Sequence, residues 1–171
     1  MRQAHTCRVA VEIERKWVAD RRPDVITHGL RGAHLRQGYL AEDGEVTVRL
    51  RIGDDWAKLT VKAGAGASVS RTEVEVDVDL AEADELWPFT EGRRILKTRY
   101  RVPLDASLGH ELVAEVDLFE GDLAGLCVVE VEFPSEDAAS AFEAPDWFGR
   151  DVTAVKGWSN ADLARNGRPD V

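Results

Sequence analysis

A chain of 171 residues, 44% hydrophobic and 32% charged, is large enough for one domain with a buried core and too apolar for a disordered segment. Its formal charge of −10 repels the phosphate backbone of nucleic acid, and no apolar run approaches membrane-spanning length, so neither a nucleic-acid partner nor a membrane is expected. Met1-Arg2-Gln3-Ala4-His5 leads straight into a charged segment without the apolar stretch of a secretory signal, which makes a cytoplasmic protein the expectation; Cys7 and Cys127 lack zinc spacing and read as packing thiols.

The first strand is predicted over Arg8 to Val18. Within it, Val11-Glu12-Ile13-Glu14-Arg15-Lys16-Trp17 alternates so that Glu12, Glu14 and Lys16 share one face. Strands follow at His34 to Leu40, Glu45 to Ile52, Trp56 to Ala63 and Ser70 to Asp79. Glu42-Asp43-Gly44 and Gly53-Asp54-Asp55 leave hairpin-length gaps between neighbours, which favours antiparallel pairing. Arg49 and Arg51 share a face, as do Lys58 and Lys62, and as do Arg71, Glu73, Glu75 and Asp77. Ala63 to Ser68 reads as a flexible loop, and Leu80 to Trp87 as a helix ending ahead of Pro88. Three more strands are predicted at Ile95 to Val102, Glu111 to Phe119 and Leu126 to Phe133. They carry Lys97, Arg99 and Arg101, then Glu115 and Asp117, then Glu130 and Glu132. Pro134 to Phe142 has acids in its first turn and reads as a helix; Ser159 is a candidate cap for a last one through Arg165. The result is an α+β, mainly β chain of eight antiparallel strands with a few peripheral helices, in a single domain over residues 1–171 without internal repeats.

Acids and bases are equally represented on the charged faces, so the net negative charge belongs to the rest of the chain. A solvated sheet face with cross-strand ion pairs would produce such alternation in any one strand. Such a face normally mixes Thr, Ser and Gln among its charges, whereas here interleaved acidic and basic strands recur along the chain. The ensemble therefore points to strands closed into a barrel whose lumen holds a polyanion on its bases and hard cations on its acids.

Glu12-Ile13-Glu14-Arg15-Lys16 matches the ExExK signature, and it is followed in order by Arg36 to Leu40, Thr47 to Arg51, Leu59 to Lys62, Arg71 to Glu75, Lys97 to Pro103, Glu115 to Phe119 and Val129 to Glu132. Together these segments resemble the CYTH superfamily, the triphosphate tunnel metalloenzymes, and in particular their short bacterial inorganic triphosphatase branch. The resemblance implies an eight-stranded antiparallel closed tunnel that binds a triphosphate and one or two Mg²⁺ or Mn²⁺ ions. After Asp151-Val152-Thr153 this chain departs from the expected aromatic-rich approach to the final helix, having Ala154-Val155-Lys156-Gly157-Trp158 instead; this region is expected to plug one tunnel mouth.

Phosphoryl transfer needs positioning and charge neutralisation more than covalent chemistry. The guanidinium forks of Arg49, Arg51 and Arg99 and the point charges of Lys16, Lys62 and Lys97 suit phosphate oxygens, with Arg71 a further cation. Glu12, Glu14, Glu130 and Glu132 are the leading metal candidates, and Glu73, Glu75, Glu115 and Asp117 are further ligands or water anchors. The resemblance suggests Lys16 and Tyr39 as a catalytic lysine–tyrosine pair; a carboxylate base fits the residues equally well, and Tyr39 reads equally as a core residue with a satisfied hydroxyl. Lys58, Arg101 and Asp77 sit at strand ends and read as rim charges. His5, His28, His34 and His110 have no ligand spacing, and Gly38 leaves the facing of Arg36 open between lumen and surface. Hydrolysis of tripolyphosphate, or of nucleoside or thiamine triphosphates, explains the paired charges. Adenylate cyclase chemistry and a non-catalytic polyphosphate- or nucleotide-binding module are the alternatives.

Overall fold

The computed structural model describes residues 7–20, 23, 29–43, 46–63, 70–104 and 112–169. The side chains of 7–12 and 70–72 lie outside this description, and with them those of Cys7, Glu12 and Arg71; so do His5, His28, His110, the predicted strand starts at Glu45 and Glu111, and loop residues 64–68.

The alternating segments form strands β1 (Cys7–Ala19), β2 (Ala33–Glu42), β3 (Val46–Ile52), β4 (Ala57–Ala63), β5 (Ser70–Val78), β6 (Arg94–Pro103), β7 (Val113–Phe119) and β8 (Cys127–Glu132), with a short β9 (Arg150–Asp151) that periodicity does not reveal. Their order is β5-β4-β3-β2-β6-β7-β8-β1-β9, and β5 pairs back onto β1. The length of β1 allows this. Its first half, Cys7 to Ile13, pairs antiparallel with β5, and its second half, Glu14 to Ala19, pairs antiparallel with β8. Eight strands thus run in a ring, as expected, and β9 extends the β5 side of β1 at Trp17 and Val18.

The register places the charged positions of successive strands side by side. Lys16 is opposite Glu130, Glu130 opposite Glu115, and Glu115 opposite Arg101; across the ring Arg49 is opposite Thr60 and Thr60 opposite Glu75. With a side-chain period of two, all of these share the inner face. The apolar partners therefore point outward and must be covered. Leu50, Ile52 and Ala57 pack under Ala83 of α1 (Leu80–Leu86), and Trp17, Val102, Ala114, Val116, Val129 and Val131 pack under Ala139 of α2 (Glu136–Ala141) and Phe148 of a 3₁₀ turn at Asp146–Phe148. Burying apolar area on the outer wall is what leaves the inner wall free to carry charge.

One end of the ring departs from the charged pattern. Val18, Ile95, Phe119 and Val128 occupy inner-face positions there and cluster with Val152, Trp158 and Leu163 of the C-terminal segment. That segment ends in α3 (Asn160–Asn166), whose Ser159 side chain accepts the Asp162 backbone N–H and whose exit turns at Gly167 with φ 75°. It is tied to β1 by Val152 N–H donating to the Lys16 carbonyl at 2.8 Å and by the Arg15–Asp151 ion pair at 2.6 Å, and to β2 by Arg165–Glu42 at 2.5 Å. The opposite end exposes the inner-face charges Asp77, Arg101 and Glu132, with Lys58 half-exposed.

The helix predicted over Leu80 to Trp87 stops at Leu86 and tightens into a 3₁₀ turn at Trp87–Thr90, with Pro88 near its start. This turn approaches β2 closely: a Cβ on Gly38 would lie 2.5 Å from Thr90 Cβ. Gly38→Ala is accordingly expected to destabilise the fold by about 1–3 kcal/mol through overpacking, measured by chemical denaturation. Among the described residues no helix is long and apolar enough to cross a membrane.

Candidate functional site

Two sets of charges face each other across the lumen. On the β6–β7–β8–β1 side, Asp117 is fully buried and accepts hydrogen bonds from Lys97 Nζ at 2.6 Å and from Arg99 Nε and Nη2, each at 2.6 Å. Arg99 also donates to Glu130 at 2.9 Å and to Glu115, so one guanidinium joins acids of two strands. Glu130 Oε1 receives the Lys16 ammonium at 2.8 Å and Asn160 Nδ2 at 3.3 Å. Burial raises the pKa of the Asp117 and Glu130 carboxyls, but the neighbouring cations outweigh it: Arg99 and Lys97 hold Asp117 below the usual carboxylate range, and Lys16 and Arg99 hold Glu130 well below it. Lys16 shows the reciprocal effect. Burial lowers its pKa, yet Glu130 and Glu14 beside it keep the ammonium above the ordinary lysine range. For Lys97 burial wins, against Asp117 and with help from Arg99, and brings the pKa down to about 8.

On the β2–β3–β4–β5 side, Arg49 Nη2 donates to Thr60 Oγ1 at 3.1 Å and stands 3.8 Å from both Glu73 and Glu75. Lys62 pairs with Glu73 at 2.8 Å and Lys58 with Glu75 at 2.9 Å. Arg51 differs. Its Nε donates to Gln37 Oε1 at 3.1 Å, and among the described residues no carboxylate pairs with it, while burial together with Arg49 and Arg99 lowers its pKa to about 10. Gln37 passes the network on, donating from Nε2 to the Tyr39 hydroxyl at 2.8 Å. Burial pushes the Tyr39 hydroxyl up to about 12, against Arg49, Arg51 and Lys16.

Of the residues singled out from sequence, Lys16, Tyr39, Arg49, Arg51, Lys62, Lys97, Arg99, Glu14, Glu73, Glu75, Glu115, Asp117, Glu130 and Glu132 all occupy inner-face positions of the ring. Glu12 and Arg71 are opposite one another in the β1–β5 register. Lys16 and Tyr39 influence each other electrostatically, but the Lys16 ammonium is bonded to Glu130. Arg36 points outward, paired with Asp84 at 2.8 Å and lying 5.1 Å from the Trp87 ring centre. Gln37, Thr60 and Asn160 are the residues that sequence reasoning missed. The first two share the period-two face of Tyr39 and of Lys58 and Lys62, a signal present in the sequence; Asn160 reaches Glu130 only through the folding-back of the C-terminal segment.

Among the described residues no three acids, histidines or cysteines converge as a ready-made metal group, because bases stand between the carboxylates. Glu14 and Glu132 are nevertheless direct cross-strand neighbours. Carboxylate oxygens are the donors that a hard divalent ion takes, and two acids side by side on the inner wall bring such donors together. The donor set fits such an ion.

The pattern that defines the CYTH domain matches residues 10–157. The chain is 43% identical over 153 residues to an inorganic triphosphatase of Nitrosomonas europaea, covering 90% of this chain and 96% of that protein. It is 34% identical over 156 residues to an inorganic triphosphatase of Acetivibrio thermocellus, covering 91% and 94% respectively. A crystal structure of an inorganic triphosphatase superposes with a TM-score of 0.66 at 41% identity, over 91% of this chain and 98% of that one. Matched over most of its length in both sequence and fold, the chain belongs to the CYTH family.

Proposed function

We propose that the protein hydrolyses inorganic tripolyphosphate, or a related organic triphosphate, inside the tunnel, with Mg²⁺ or Mn²⁺ as the metal. The observation that carries this reading is Arg51: a cation that bonds Gln37, has no carboxylate in ion-pair contact among the described residues and feels the charges of Arg49 and Arg99 is a site for an anion. The Arg49 Nε atom adds to it, being buried without a hydrogen-bond acceptor. The two relatives named as inorganic triphosphatases support the same chemistry.

In hydrolysis, water attacks the terminal phosphorus, the bond to the bridging oxygen breaks, and orthophosphate and pyrophosphate form, with the proton of the water passing to a phosphate oxygen or to solvent. Arg49, Arg51 and Arg99 bind and orient the non-bridging oxygens, and Lys62 and Lys97 add positive charge along the chain of phosphates. Lys16, kept protonated by Glu130, serves as a cation toward phosphate rather than as a base. The Tyr39 hydroxyl stays neutral and fixes Gln37, which in turn holds Arg51. Glu14 and Glu132 would hold the divalent ion, which when bound supplies neutralisation of phosphate charge. Glu14→Gln should therefore raise the Mg²⁺ concentration needed for half-maximal rate about tenfold or more, while metal-free binding of tripolyphosphate is unchanged. An unaltered metal requirement would remove Glu14 from that role.

Incubation of the protein with Mg²⁺ or Mn²⁺ and tripolyphosphate, ATP or thiamine triphosphate, assayed for phosphate and cyclic AMP, tests the reading directly. Phosphate release is the expected result. Cyclic AMP as the main product would make the protein a cyclase, and binding without product would make it a binding module. A cytoplasmic location and the absence of a nucleic-acid partner belong to the same proposal, supported by the acidic net charge.

A further inference from the structure

Asn160 stands where the C-terminal segment meets the charged lumen. Its Nδ2 donates to Glu130 Oε1 at 3.3 Å, and the neighbouring Trp158 carbonyl accepts from Lys16 Nζ at 3.4 Å, so the segment touches both members of the Lys16–Glu130 pair. Glu130 Oε1, already facing the Lys16 ammonium at 2.8 Å, is an acceptor, which sets the amide with Nδ2 toward it and Oδ1 away. That Oδ1 is buried and has no protein donor. Setting aside Glu73 Oε2, which Lys62 faces at 2.8 Å, the described residues leave two buried polar atoms of opposite need: Arg49 Nε requires an acceptor and Asn160 Oδ1 requires a donor. An ionised triphosphate offers acceptors alone, so it can satisfy Arg49 and cannot satisfy Asn160. Water can.

We propose that Asn160 is a positioning residue whose Oδ1 accepts a hydrogen bond from the attacking water and holds it beside Glu130, facing the terminal phosphorus. This rests on the triphosphatase reading and goes beyond it by placing the nucleophile at the filled end of the tunnel. The loose transition state of phosphoryl transfer makes orientation of the water valuable without early removal of its proton, which suits a neutral amide beside a carboxylate already engaged by Lys16 and Arg99.

The test compares wild type with Asn160→Ala, Asn160→Leu and Asn160→Ser in Mg²⁺ and tripolyphosphate, together with metal-free calorimetric binding of tripolyphosphate and thermal melting. Alanine and leucine should lower kcat roughly ten- to a hundredfold with KM and metal-free affinity within about twofold of wild type. Serine, which keeps a side-chain oxygen, should recover part of that loss. Leucine preserves the volume of the side chain, so a defect shared by alanine and leucine at an unchanged melting temperature is not one of packing. Unchanged kcat, or a rise in KM alone, overturns the assignment, as does recovery of full rate at high Mg²⁺, which would make Asn160 a cation ligand. Failure of the wild type itself to release phosphate overturns the triphosphatase reading and this inference with it; turnover by wild type with kcat retained in the variants overturns the inference alone.

Discussion

Arg51→Met is expected to cost about 2–4 kcal/mol of tripolyphosphate affinity, roughly 30- to 1,000-fold, while the melting temperature of the ligand-free protein stays level or rises. The two effects have one cause. In the free protein Arg51 is a half-buried cation that burial, Arg49 and Arg99 disfavour by more than Asp117 and Glu130 favour it, which lowers its pKa to about 10. Removing it relieves unfavourable electrostatics and loses one hydrogen bond to Gln37. With triphosphate bound the same guanidinium would carry a charge-assisted contact in a weakly screened site. Metal-free calorimetry and a melting curve decide the matter: retained affinity, or a marked fall in melting temperature, would mean that Arg51 is part of the scaffold.

Asp117→Asn should act in the opposite sense, destabilising the protein by about 3–5 kcal/mol, because it leaves Lys97 and Arg99 buried without the carboxylate that both contact. For a chain of this size that corresponds to a fall in melting temperature of roughly 6–20 °C. The pH dependence follows from the same pairing. Asp117 and Glu130 are held below the carboxylate range in the folded protein, so the stability they contribute is complete above their unfolded pKa, near about 4, and is lost as pH falls from there toward the depressed folded values. Denaturant titrations at descending pH should show this acid loss in wild type and a smaller one in Asp117→Asn. Equal acid sensitivity in the two proteins would locate the effect at other carboxylates.

The contrast between these two residues bears on what could be read before the structure. Period-two alternation identified the eight long strands and put Arg51 and Asp117 on the inner wall, because a strand has only two faces and charge marked one of them. It could not separate their roles: one cation is left without an acid while one acid is shared by two cations, and this depends on the stagger between strands. Around Gly38 the local sequence left Arg36 undecided. The register turns Arg36 outward to Asp84 and Gln37 inward to Arg51, and the glycine itself is required by the approach of Thr90. β9, the 3₁₀ turns and Asn160 were beyond sequence reasoning for a different reason. Each is defined by a long-range contact, such as Trp17 with Asp151 or Asn160 with Glu130, and carries no periodic signature of its own.

The apolar filling at one end of the ring has a kinetic meaning. With Val18, Ile95, Phe119 and Val128 packed against Trp158 and Leu163, apolar side chains replace charges at that end, so on the proposed function a polyphosphate would enter from the charged end by its tip. A tunnel filled in this way would gauge chain ends. On the proposed function, cleavage would then fall on terminal phosphoryl groups, and orthophosphate released at the filled end would follow the longer fragment out past Lys58, Asp77, Arg101 and Glu132. Departure of products in a fixed order, with the longer fragment first, would then follow from the way the C-terminal segment folds back onto β1.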